Sequence, residues 1–100
     1  MDRHVLFVNT SIDYLMFPLK SFLGAKYASA TTIDLYFEKA PISYKVTLTI
    51  ETGTGAEVAL RVSELFNSNS SSTIIFNDTI STWPFEEVTG IDSFTKIFVQ

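Results

Sequence analysis

The sequence predicts one α+β domain over residues 1–100, a mostly antiparallel sheet of about five or six strands with a single amphipathic helix over residues 54–66 packed on one face. Three observations predict it. Residues 31–39 and 44–51 each alternate apolar and polar side chains, a proline-containing segment separates them, and immediately afterwards the apolar period lengthens from two residues to nearly four.

Ile33, Leu35 and Phe37 fall on one face of an extended chain, and Thr32, Asp34, Tyr36 and Glu38 fall on the other. The second run repeats this, with Tyr44, Val46, Leu48 and Ile50 against Lys45, Thr47, Thr49 and Glu51. Pro41 fixes its own φ and lacks an N–H, so residues 39–42 suit a turn, and the two runs form an antiparallel hairpin. Val58, Val62, Leu65 and Phe66 then make an apolar stripe, with Glu57, Arg61 and Glu64 on the polar side. Thr54 and Glu57 have capping-box spacing, which starts a helix near Thr54, and Glu57 and Arg61 stand at i,i+4 in the favourable order. The Asn/Ser tract at 67–72 competes for helical hydrogen bonds and ends the helix.

On the N-terminal side, residues 4–8 read as a strand, 9–11 as a turn and 14–17 as a second strand ended by Pro18. Both faces of Val5-Leu6-Phe7-Val8 are apolar, which leaves the register of this first hairpin open. Residues 20–28 suit a compact loop or single helical turn plugging an open edge of the core. Downstream, residues 72–77 form a short strand and 77–79 a turn. Residues 84–88 either open one helical turn, with Pro84 at its first position, or lie along an edge. Gly90 supplies a turn, and residues 94–99 close the chain as a strand apolar on both faces, which is either central in the sheet or covered by a partner.

Composition narrows the function. An apolar share of 46% with 14% aromatics is ample for one core. No apolar run approaches the ~18 residues of a membrane span, and residues 1–4 lead into a short alternation rather than a secretory apolar segment, so no membrane partner and no secretion are expected. The sequence holds no cysteine, so disulfides and thiolate metal sites are excluded. Net charge is −4, and the seven Lys and Arg are spread singly, which argues against nucleic acid as a partner. Nine Phe at a mean hydropathy of +0.23 point instead to apolar surface buried between subunits of a homo-oligomer.

Candidate chemistry is sparse. Gly53-Thr54-Gly55 follows a strand and opens a helix, where amides and helix dipole favour an anion. The dinucleotide fingerprint, however, wants a small residue where Val58 stands and a parallel frame instead of a hairpin, so turn and cap formation compete with binding. His4 is the only histidine and has no evident partner for general-base work; no serine lies in a Gly-x-Ser-x-Gly elbow. Glu86, Glu87 and Asp92 lack the spacing of a calcium loop and read as a solvated acidic face. No catalytic, metal or cofactor residue is therefore assigned. Trp83, Phe85, Phe94 and Phe98 are the residues expected at a subunit interface, with membership of the domain's own core the equal alternative.

The succession ATTIDLYFEK, YKVTLTIETG, AEVALRVSEL, STIIFND and VTGIDSFTKIFV resembles a group of small proteins encoded by tailed phages of marine cyanobacteria. The resemblance spans residues 14–99 by order of elements and centres on Ile33-Asp34-Leu35-Tyr36-Phe37, the strand end at 47–53 and Thr89-Gly90-Ile91; the Asn/Ser tract and Trp83-Pro84 depart from it. It implies a phage-encoded accessory or virion-associated protein, located in the host cytoplasm or the virion, with other virion proteins as further partners. The expectation is a non-enzymatic structural or assembly protein acting by self-association. The alternative is a small-ligand or anion-binding module using the helix N-terminus at residues 53–57, with the amides of Thr54 to Glu57 and with Gly53, Thr54 and Gly55 as the ligand residues.

Overall fold

The computed structural model describes residues 3–39, 42–67 and 73–98. The turn at Pro41, the Asn/Ser tract from residue 68 and the side chain of Phe98 lie outside the described residues. The fold is α+β: strands β1 (His4–Thr10), β2 (Asp13–Pro18), β3 (Phe22–Ser29), β4 (Thr32–Lys39) and β5 (Ile42–Ile50), helix α1 (Gly55–Phe66), then β6 (Ile74–Asn77) and β7 (Val88–Phe98).

The described strands form two sheets rather than one of five or six strands, ordered β2-β1-β6 and β3-β4-β5-β7. The expected β4–β5 hairpin is present, with Ile33 opposite Leu48 and Leu35 opposite Val46, so both apolar stripes line one face. The β1–β2 hairpin is also present. The two-faced apolar pattern of residues 5–8 that left its register open is resolved by burial: Val5 and Phe7 are buried, and Leu6 and Val8 face outward. The one parallel pairing, β1 with β6, joins segments some seventy residues apart by aligning Val5 with Ile74 and Phe7 with Phe76. Together these rows place Val5, Phe7, Phe17, Ile74 and Phe76 on the inner face of the three-stranded sheet.

The inner faces of the two sheets meet through aromatic rings. Phe17 stacks on Phe37 with centroids 4.4 Å apart and Phe7 meets Phe37 edge-on at 5.6 Å, while within the three-stranded sheet Phe7 stacks on its neighbour Phe76 at 4.9 Å. Helix α1 covers the rest of the inner face with Val58, Val62 and Phe66, and Phe66 lies edge-on to Phe22 at 4.9 Å. Its last carbonyls are held from the chain start, since Arg3 donates from Nη1 to Phe66 O at 3.3 Å and from Nη2 to Leu65 O at 3.4 Å.

Four local expectations are corrected. Residues 20–28 do not form a loop or α-turn; apart from a short 3-10 turn at Leu19–Ser21 they are the edge strand β3. Its alternation is hidden by two register shifts, one at Leu23–Gly24, where Gly24 adopts φ 149°. The capping box does not form. The Thr54 hydroxyl donates to Glu51 O at 2.7 Å instead of accepting from the helix, within a turn whose third residue, Gly53, has φ 80°. The helix nevertheless starts where expected, running from Gly55 with Thr54 in the N-cap position. Finally, Gly90 lies inside β7, not in a turn: the closing strand starts at Val88, six residues earlier than expected. Residues 84–87 are turn and bend, not helix.

Candidate assembly surfaces

The outward face of the three-stranded sheet follows from its register. Leu6 of β1 is flanked by Met16 of β2 and Ile75 of β6, and Val8 by Tyr14 and Asn77. Tyr14 is 59% exposed, Met16 50% and Ile75 41%, and no residue of these two rows carries a charge. The exposed Ile12 at the hairpin tip and Ile80 in the turn after β6 stand at the same end of this sheet. An antiparallel sheet with one buried face ordinarily turns a polar face to water. The outward face of the four-stranded sheet carries Lys45, Ser93 and Thr95, with Asp34 and Thr47 buried there against each other and Leu23 and Ile97 exposed beside them; the outward rows of the three-stranded sheet hold no charge at all. Singly scattered exposed apolar side chains are ordinary on a monomer, whereas apolar residues gathered on one face mark a candidate contact surface. The signal was present in the sequence as the two-faced apolar run at 5–8 followed by Tyr14 and Met16, but without the pairing partners it read only as uncertainty of register.

The aromatic residues expected at an interface sit mainly against the core. Trp83, Phe85 and Phe94 are partly buried and pack on it, and Phe85 meets Phe76 edge-on at 6.2 Å. Phe94 lies on β7 opposite Val46, with its backbone at the outer edge of the four-stranded sheet. Phe98 pairs with Ile42 at the end of the same strand. Among the described residues β7 has β5 as its only strand neighbour, so of the two placements open to a strand apolar on both faces, the central one is excluded.

At the helix start, the Gly53 N–H donates to Ala30 O at 2.9 Å and the Thr54 N–H to Glu51 O at 3.2 Å. Gly53 and Thr54, two of the three residues of the candidate anion site, therefore spend their amides inside the chain; the third, Gly55, begins α1 beside the rings and methyls of Tyr27 and Ile50. Among the described residues no group of three or more His, Cys, Asp or Glu is placed to hold a metal ion, and no helix is long and apolar enough to cross a membrane.

The acidic residues 86, 87 and 92 separate. Glu87 is buried and its Oε2 lies 3.4 Å from Arg61 Nη2 on α1, so it ties the segment before β7 to the helix rather than forming a solvated face, while Oε1 has no hydrogen-bond partner among the described residues. Glu86 and Asp92 are exposed. A shallow open groove on the outward face of the four-stranded sheet is lined by Leu23, Lys26, Tyr36, Ser43 and Ile97. No family model, curated protein or solved structure matches the chain.

Proposed function

We propose that the chain is a small non-enzymatic structural or assembly protein that works by self-association, in keeping with the resemblance to phage-encoded accessory and virion-associated proteins. The observation that carries this reading is the uncharged apolar outer face of the three-stranded sheet, built from Leu6, Val8, Tyr14, Met16 and Ile75. A second copy suits it better than an oppositely charged partner. At a net charge of −4 two copies repel each other, and a face free of charge is where they can approach with least electrostatic penalty.

Size-exclusion chromatography with light scattering tests the reading. The wild-type chain is expected to run as an oligomer, and Met16→Lys, which sets a charge beside Leu6 on the β2 side of the face, is expected to reduce its mass while leaving the melting temperature within a few degrees, because Met16 is half exposed in the single chain. A strictly monomeric wild type at all accessible concentrations would sink it. Mass spectrometry of purified phage particles tests the virion assignment, for which the chain should co-purify in fixed ratio to the capsid protein.

A further inference from the structure

We propose that the open edge of β7 pairs antiparallel with β7 of a second copy across a two-fold axis centred on Phe94, joining two four-stranded sheets into one of eight strands. This rests on the self-association reading and adds to it a second contact, separate from the apolar face.

An edge strand presents a row of unpaired N–H and C=O groups, and proteins blunt such edges with prolines, bulges, short strands or covering groups. The other described edges carry these devices. β2 ends on Pro18, β6 is four residues long with Asn77 bridged to Thr82, and β3 is interrupted by register shifts near both ends. The first part of β7 is guarded too. The Ile91 N–H donates to Asp78 Oδ2 at 3.0 Å, and the register steps from Ser93 to Ile91, leaving Asp92 as an extra residue in a bulge. From Ser93 onward β7 runs in unbroken register against β5, from Ser93–Thr47 to Phe98–Ile42, and no such device interrupts it.

The sequence of this open stretch, taken with the bulge residue Asp92 that precedes it, is complementary to itself. Read antiparallel about Phe94, Asp92-Ser93-Phe94-Thr95-Lys96 sets Asp92 against Lys96 of the second copy twice, by symmetry, and Ser93 against Thr95 twice. Moving the axis to Ser93 or Thr95 destroys both charge pairs: Lys96 would then face Gly90 or Phe94. Asp92 and Lys96 are exposed, and among the described residues neither has an ion-pair partner; Asp92 only accepts a 3.4 Å hydrogen bond from the Ser93 hydroxyl. No other described edge carries such a pair of opposite charges, since β2 and β3 hold one charged residue each and β6 none. A second copy of this chain is therefore the occupant the edge fits.

The test is a charge swap in the Met16→Lys background, read as the dimer dissociation constant by sedimentation equilibrium. Asp92→Lys and Lys96→Asp should each weaken the dimer roughly tenfold, and the double variant should return to within about threefold of the parent, because two opposed pairs change sign and then recover. Both positions are exposed, so unchanged melting temperatures verify folding. Independently, Ser93→Cys/Thr95→Cys in this cysteine-free chain should oxidise to a covalent dimer, since directly opposed residues have Cα atoms about 4.5–5.5 Å apart, within reach of a disulfide. If the swaps leave the dissociation constant unchanged and the cysteines do not link while the wild type still oligomerises through its apolar face, the edge pairing is overturned and self-association stands. A monomeric wild type overturns both.

Discussion

Asp34 and Thr47 show how a polar residue is accommodated in this sheet. They are paired across β4 and β5 on the outward face, both largely buried, and the Thr47 hydroxyl donates to Asp34 Oδ1 at 2.7 Å. Asp34→Ala leaves that hydroxyl without its acceptor and should cost about 1–3 kcal/mol in urea denaturation. On the opposite face, Leu48 is fully buried, and Leu48→Ala should cost about 2–5 kcal/mol by the same measurement; a neutral result would show the faces of β5 reversed. Thr54→Ala should cost less than the ~1 kcal/mol typical of a lost helix cap, because the hydroxyl bonds an exposed turn carbonyl rather than a helix amide.

Among the elements, β7 is the one whose two halves behave differently. Its first half is tied down by Glu87 against Arg61 and by the Asp78 carboxylate at Ile91; its second half has Phe94 packed on the core but β5 as its one strand neighbour among the described residues. Asp78 is held in place by its own N–H, which donates to Val8 O at 2.8 Å, so one residue joins the end of β1 to the bulged region of β7 and links the two sheets. Asp78→Ala removes the acceptor at Ile91. The expected result is faster hydrogen exchange at the Ile91 amide and a stability loss of about 1–2 kcal/mol, with the β5 amides opposite residues 93–98 unchanged. Equal acceleration along the whole strand would mean that β7 opens as a unit.

For the whole molecule, the two proposed contacts, the apolar face and the β7 edge, have different consequences together than either has alone. A single isologous contact closes at a dimer, whereas two distinct contacts on one chain link dimers onward into a ring or an open array. Light scattering of the wild type should therefore show species larger than a dimer that grow with concentration. Met16→Lys should cut them back to dimers held by β7, and Met16→Lys combined with Asp92→Lys should leave mainly monomer. Adding salt to the Met16→Lys dimer should loosen it, since its charge pairs are exposed and screened within about 8 Å at physiological ionic strength.

Much of the fold was legible in the sequence because it depends on local periodicity. The β4–β5 hairpin, the stripe of Val58, Val62 and Phe66, and the inward faces of β5 all follow from side chains two or nearly four residues apart. Strand β3 was not legible, because bulges at an exposed edge break the alternation that marks a strand. The cap failed for a similar reason: Thr54 had the right spacing, and the choice of acceptor for its hydroxyl was made by the turn at Gly53. Which residues could form an assembly surface was decided only by tertiary structure. Leu6 and Val5 are equally apolar in sequence, and the parallel pairing of β1 with a strand some seventy residues away determines which of them the core buries and which is left outside. Likewise, the composition of residues 94–98 suited either a central strand or a covered one, and the strand order placed them at the edge. Periodicity says that a strand has two faces and two edges; only long-range pairing says what lies against each.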